Sequence, residues 1–202
     1  MSSFRIAMRH ILNGNLQIIL LFFILSGCTS KPETVLPVTN FSLDSYLGVW
    51  HEIARIDNRF ERGLTDVTAT YANRNDGGIE VQNRGYHLES NQWKEATGKA
   101  YFLKDQSIGH LKVSFFGPFY SSYLIFEYSE GSYAYVTGNS YEYLWLLSRT
   151  KVVSKTVIDQ FISKADSLGF DTSKLIYNVS YLDQKSPLSG DCLLYTSPSP
   201  RD

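Results

Sequence analysis

The chain holds 202 residues, about the length of one domain, with 43% hydrophobic and 19% charged residues and a formal net charge of −1. Such a composition excludes collagen-like, coiled-coil and wholly disordered chains, and near-neutral charge with no long run of Lys or Arg excludes a basic footprint for nucleic acid. The excess is aromatic, 14% led by 14 Tyr and 12 Phe, residue types that favour strands and apolar pockets with polar tips.

In chain order the first element is an export signal. Arg5 and Arg9 precede an apolar run from Leu16 to Leu25, which at about ten residues is too short to span a bilayer. The run ends in Leu25-Ser26-Gly27-Cys28. Small residues before a Cys resemble the bacterial lipobox, in which the thiol is diacylated and cleavage leaves the Cys as the new N-terminus. Residues 1–27 are accordingly read as a lipoprotein signal peptide and Cys28 as the lipidation site. Thr29 follows it rather than Asp, which by the same resemblance implies sorting to the outer membrane. Residues 28–40 are polar and contain proline, and are expected to form the acylated N-terminus and a semi-extended tether.

The domain is expected over 41–182, mostly as short strands rich in β-branched and aromatic residues. The spacing predicts strands over 49–56, 65–73, 79–86, 93–103, 110–116, 123–128, 132–137 and 143–150. The Asp76-Gly77 and Gly77-Gly78 pairs mark a hairpin between the second and third. Val157, Ile158, Phe161, Ile162, Ala165 and Leu168 then recur at helical spacing, with Ser154 to cap the start and Gly169 the end. A ninth strand is expected over 175–181. Eight meandering strands hide their edges most completely by closing. The expected fold is therefore all-β: an eight-stranded antiparallel up-and-down barrel with one C-terminal α-helix and a short ninth strand. At eight strands such a barrel has room for one small ligand. Residues 183–202 lose periodicity and end in a string that resembles sequencing-adaptor read-through, so they are read as a disordered or non-native tail. Cys28 and Cys192 are the only cysteines, and no disulfide is expected in the mature fold.

Gly48-Val49-Trp50, in the context YLGVWHEIARIDNRFERG, resembles the opening signature of lipocalins. Tyr143 to Thr150 (YLWLLSRT) followed by a helix resembles the last barrel strand of that family and its arginine. The likeness extends from Leu43 to about Tyr181, including GKAYF and LKVSFFGPFY, and is greatest to bacterial outer-membrane lipoprotein lipocalins, which are apolipoprotein D-like. The turn before the last strand departs from the family's usual Thr-Asp-Tyr, reading Thr137-Gly138-Asn139-Ser140-Tyr141-Glu142-Tyr143.

The resemblance implies structural roles for Gly48, Trp50 and Arg149: the indole plugs the closed end and the guanidinium lies over it. It also places Tyr143, Trp145 and Leu147 on an inward face. Tyr123, Trp145, Tyr143 and Tyr135 are the candidate ligand-binding residues, with Tyr123 and Trp145 ranked first. Ala69, Ala96, Gly98 and Ala100 would leave interior volume. Glu52 shares parity with Trp50 and needs a partner inside, either Arg149 or a backbone donor. The aromatic turn Phe115 to Tyr120 is read as strand packing, with mouth lining or lipid contact as the alternatives.

Three histidines lie in the body, on separate strands, and no metal-ligand spacing, cofactor motif or nucleophile elbow accompanies them. The expectation is a binding protein without catalytic residues, metal or cofactor. It would be lipid-anchored at the periplasmic face of the outer membrane, and would bind fatty acids or lysophospholipids for storage or transport. The alternatives are a lipocalin-fold enzyme acting on a pocket-bound lipid and a structural envelope lipoprotein with a filled barrel. Pairing of two subunits is left open.

Overall fold

A computed structural model describes residues 30–178; Cys28, the signal peptide and the tail lie outside them. Eight strands wind in sequence: β1 (Gly48–Ile56), β2 (Leu64–Asn73), β3 (Ile79–His87), β4 (Gln92–Phe102), β5 (His110–Phe116), β6 (Phe119–Ser129), β7 (Tyr133–Thr137) and β8 (Leu144–Ser148). Every pairing between neighbours is antiparallel. Strand β1 pairs with both β2 and β8, so the meander closes on itself as expected and leaves no free edge between its ends.

A bulge between Glu52 and Ala54 bends β1. Its first half pairs with β2 and its second half with β9 (Leu175–Tyr177). Strand β6 starts at Phe119, earlier than its composition indicates, because Gly117, at φ +55°, and Pro118 make a tight connection to β5. The helix α2 (Lys155–Ser167) begins where Ser154 accepts a bond from the Val157 amide and stops before Gly169, whose φ of +95° suits only glycine. A short helix α1 (Leu43–Tyr46), capped by Ser42, lies under the barrel.

Two cores result. One fills the barrel interior with Trp50, Tyr71, Val81, Ile125, Val136 and Leu147. The other lies outside, where the apolar stripe of α2 (Val157, Ile158, Phe161, Ile162, Ala165 and Leu168) covers Ile53, Leu146 and Tyr135.

The segment expected as a tether is instead laid along the barrel over most of its described length. Val35 is fully buried in the outer core, and the Val38 amide donates to Ile125 while its carbonyl accepts from Gly109. The reason is legible in Val35 and Val38: two β-branched residues in a polar stretch give it one apolar side to bury.

Candidate functional site

Strand alternation orders the barrel into two ends. Strand β1 starts beside α1, at the end closed by Trp50, and each hairpin then alternates between that end and the open one. At the closed end Gly48 sits at φ +92°, and a Cβ there would come within 3.5 Å of the Arg149 guanidinium. Arg149 Cζ lies 4.0 Å from the Trp50 ring centre. Its Nη1 donates to the Val49 carbonyl at 2.7 Å, and Nη2 to Ser45 and Leu47 at 2.6 and 2.7 Å. Trp50 Nε1 in turn donates to Tyr46 O at 2.7 Å. The guanidinium thus ties α1, β1 and the end of β8 together beneath a buried indole.

Above that floor three phenols meet. The Tyr123 hydroxyl lies 2.7 Å from those of both Tyr46 and Tyr71. Burial raises all three, Tyr71 to about 12, so the cluster stays protonated and neutral. Tyr123 therefore faces inward, as parity predicts. Val113, Phe115, Tyr123 and Trp145 face the interior yet remain only partly buried, whereas Trp50, Ile125 and Val136 below them are covered.

Near the mouth a polar cluster holds the β1–β2 loop (57–63) in place. Arg55 Nη1 donates to the buried Glu52 carboxyl, and its Nη2 donates to the Glu61 and Leu64 carbonyls at 2.9 and 3.1 Å. Glu61 Oε2 accepts from Trp145 Nε1 at 2.9 Å and from Asn58 Nδ2 at 2.6 Å. Burial first, then the adjacent Glu61 carboxylate, push Glu52 up to about 8 against the pull of Arg55. Glu52 points inward, and its partner is Arg55 rather than Arg149.

Trp145 and Tyr143 stack with ring centres 6.0 Å apart, and Tyr143 in turn stacks on Phe60 at 6.4 Å. Tyr135 is a correction. Its neighbours Ala134 and Val136 face the interior, so it faces out against α2, edge-on to Phe161 at 5.0 Å with its hydroxyl donating to Val157 O at 3.3 Å. It is a packing residue between barrel and helix. Nor does Gly98 leave volume: a Cβ there would sit 2.7 Å from Ser114 O and 2.8 Å from the Phe115 ring, so that space is already taken by β5. Ala69 and Ala100 do face the interior.

Sequence reasoning missed Tyr46, Tyr71, Arg55 and Glu61. Tyr71 was available from its shared parity with Ala69 on β2. Glu61 was not, because a loop residue has no parity.

A serine–histidine contact does occur on the outer wall, where His110 Nε2 and Ser122 Oγ are 2.8 Å apart. Ser122 is buried, and no carboxylate bonds the imidazole among the described residues. The pair links β5 to β6. Among the described residues no three His, Cys, Asp or Glu side chains form a metal-holding group.

A family model described as a lipocalin-like domain matches residues 41–180. The chain belongs to the lipocalin family. This lipocalin is 56% identical over 162 residues to the outer membrane lipoprotein Blc of Vibrio cholerae, covering 79% of this chain and 95% of that protein. It is 46% identical over 158 residues to the outer membrane lipoprotein Blc of Escherichia coli K12, with 77% and 89% covered. Among solved structures, insecticyanin from the tobacco hornworm superposes with a TM-score of 0.57 at 21% identity, over 71% of this chain and 83% of that one; that likeness speaks for the fold. With relatives of such identity, this lipocalin is a lipid-anchored protein of the outer membrane.

Proposed function

We propose that this lipocalin takes up one single-chain lipid, a fatty acid or a lysophospholipid, in its barrel and stores or carries it in the envelope without chemically altering it. The observation that carries this reading is the upper part of the inner wall: Val113, Phe115, Tyr123 and Trp145 face inward and are only partly buried, whereas the residues below them are covered. Apolar side chains in that condition line space for an acyl chain. At the mouth the polar cluster supplies a complement for a head group. The buried Nε–H of Arg55 has no hydrogen-bond partner among the described residues, and a guanidinium donor suits a carboxylate or phosphate oxygen.

Titration of the purified protein with oleate and with lysophosphatidylethanolamine, followed by tryptophan fluorescence, tests the proposal, since Trp145 lines the wall. Saturable change at one lipid per barrel supports it. Absence of saturation with either lipid would favour a filled structural barrel, and release of a lipid fragment during the titration would favour an enzyme.

A further inference from the structure

We propose that the open mouth of the barrel is itself a lipid-docking surface, so that the anchored protein stands mouth-down on the membrane. The first support is where the chain comes from. Ser30 Oγ donates to the Asn139 carbonyl at 3.4 Å, and Thr34 Oγ1 lies 2.8 Å from the Tyr141 hydroxyl. Asn139 and Tyr141 belong to the β7–β8 loop at the open end, so the N-terminal segment starts at the mouth and runs toward the closed end, where the Phe41 amide reaches Ser107. Cys28 precedes Ser30 by two residues, a reach of about 7 Å at most. Acyl chains on Cys28 therefore enter the bilayer beside the mouth, while the closed end lies roughly 20 Å farther off, a strand length away.

The second support is independent of the anchor. The open-end loops expose Phe60 at 59%, Leu88 at 60%, Phe116 at 71% and Phe119 at 73%. At the closed end the hairpins are the polar turns 74–78 (RNDGG) and 130–132 (EGS) and the loop 103–109 (LKDQSIG), whose exposed residues 104–107 are polar, and the large apolar residues exposed there are the smaller Val49 and Val152, at 46% each. Large apolar groups gathered on one rim mark an interaction surface, and the pattern is that of aromatic side chains at a membrane interface. Ionic groups on the rim loops leave a small negative excess: Arg62 pairs with Asp57, Arg59 lies 4.7 Å from the Phe60 ring centre, and Glu61, Glu89 and Glu142 are acidic, so among the described residues no cationic patch is present there to draw anionic lipid. Docking is thus apolar, and it proceeds on an uncharged, zwitterionic surface without help from anionic lipid. Held this way, the barrel exchanges a lipid with the membrane across the rim without passing it through water. That consequence rests on the cargo reading; the orientation rests only on Cys28 and the rim.

The test uses the lipidated chain carrying Cys192→Ser, reconstituted into phosphatidylcholine vesicles that contain a spin-labelled lipid. A fluorophore is attached at Glu89→Cys on the open end or at Asn75→Cys on the closed end. Strong quenching at position 89, background quenching at 75, and no change in high salt are expected. Adding Phe116→Ser and Phe119→Ser, both exposed and so compatible with folding, lowers quenching at 89 toward background. Equal quenching at the two positions, or the reverse order, would overturn the proposal, as would a rim that instead pairs two copies of the chain, seen as a dimer by sedimentation and lost in the double variant. Lipid uptake by the same samples reads the cargo proposal separately.

Discussion

Replacing Arg149 by lysine keeps the charge and removes the geometry. The guanidinium serves three carbonyls, at 2.6 to 2.7 Å, while lying 4.0 Å from the Trp50 ring centre. An ammonium reaches one of those carbonyls and has no plane to stack. Two charge-assisted bonds are lost, at about 1 kcal/mol each because the site is only partly shielded from water. The weaker cation–π contact costs about 0.5 to 1 kcal/mol more. A total of about 2.5 to 3 kcal/mol corresponds to a fall in melting temperature of roughly 5 to 12 °C for a chain of this size. Calorimetry or circular dichroism reads the shift directly. Lipid affinity per folded molecule stays as in the parent, since Arg149 lies below the indole floor and touches none of the partly exposed wall. An unchanged melting temperature would refute the clamp, and a lost affinity at full folding would refute its purely structural role.

Three further outcomes follow from the same geometry. Glu52 is raised from 4.5 to about 8 in the folded protein, so the fold holds a proton that the unfolded chain releases; this stabilisation is fully present below pH 4.5, declines as pH rises, and is gone above about pH 8. Glu52→Gln flattens that slope in denaturation series run across the window, and an undiminished slope would assign it to other groups. Tyr123→Phe removes the hydroxyl shared by Tyr46 and Tyr71 and costs about 1 to 3 kcal/mol in urea unfolding; an unchanged midpoint would mean that the phenol cluster adds nothing. Cys28→Ala releases the protein from the membrane fraction, and a variant that still sediments with membranes would exclude that thiol as the anchor.

The barrel was readable because its signal is periodic. Alternation along β8 aligned Trp145 with Leu147, and helical spacing from Val157 to Leu168 named the face of α2 that the outer core buries. The same reasoning misplaced Tyr135, which has the aromatic character of a wall residue: composition does not tell the lining of an interior from the packing under a helix. Alternation also slips at bulges. Between Ile125 and Glu127 the register of β6 shifts, so that Tyr128 rather than Glu127 faces inward. The mouth cluster was least legible. Glu52 announced itself as a buried acid, but its partners Arg55 and Glu61 come from beyond a bulge and from a loop, where sequence spacing carries no direction. The apolar character of Val35 and Val38 was outweighed by the proline and polar residues around them, which is why a docked segment reads as a free tether.

On the proposed function the barrel interior holds a lipid. Native mass spectrometry of the signal-less protein, purified without detergent and then offered single-chain lipids, tests it most directly. A second charge-state series displaced by the mass of one fatty acid or lysophospholipid, emptied by delipidation and restored by re-addition, is the predicted result. A protein that retains none and takes up none while remaining folded would contradict it.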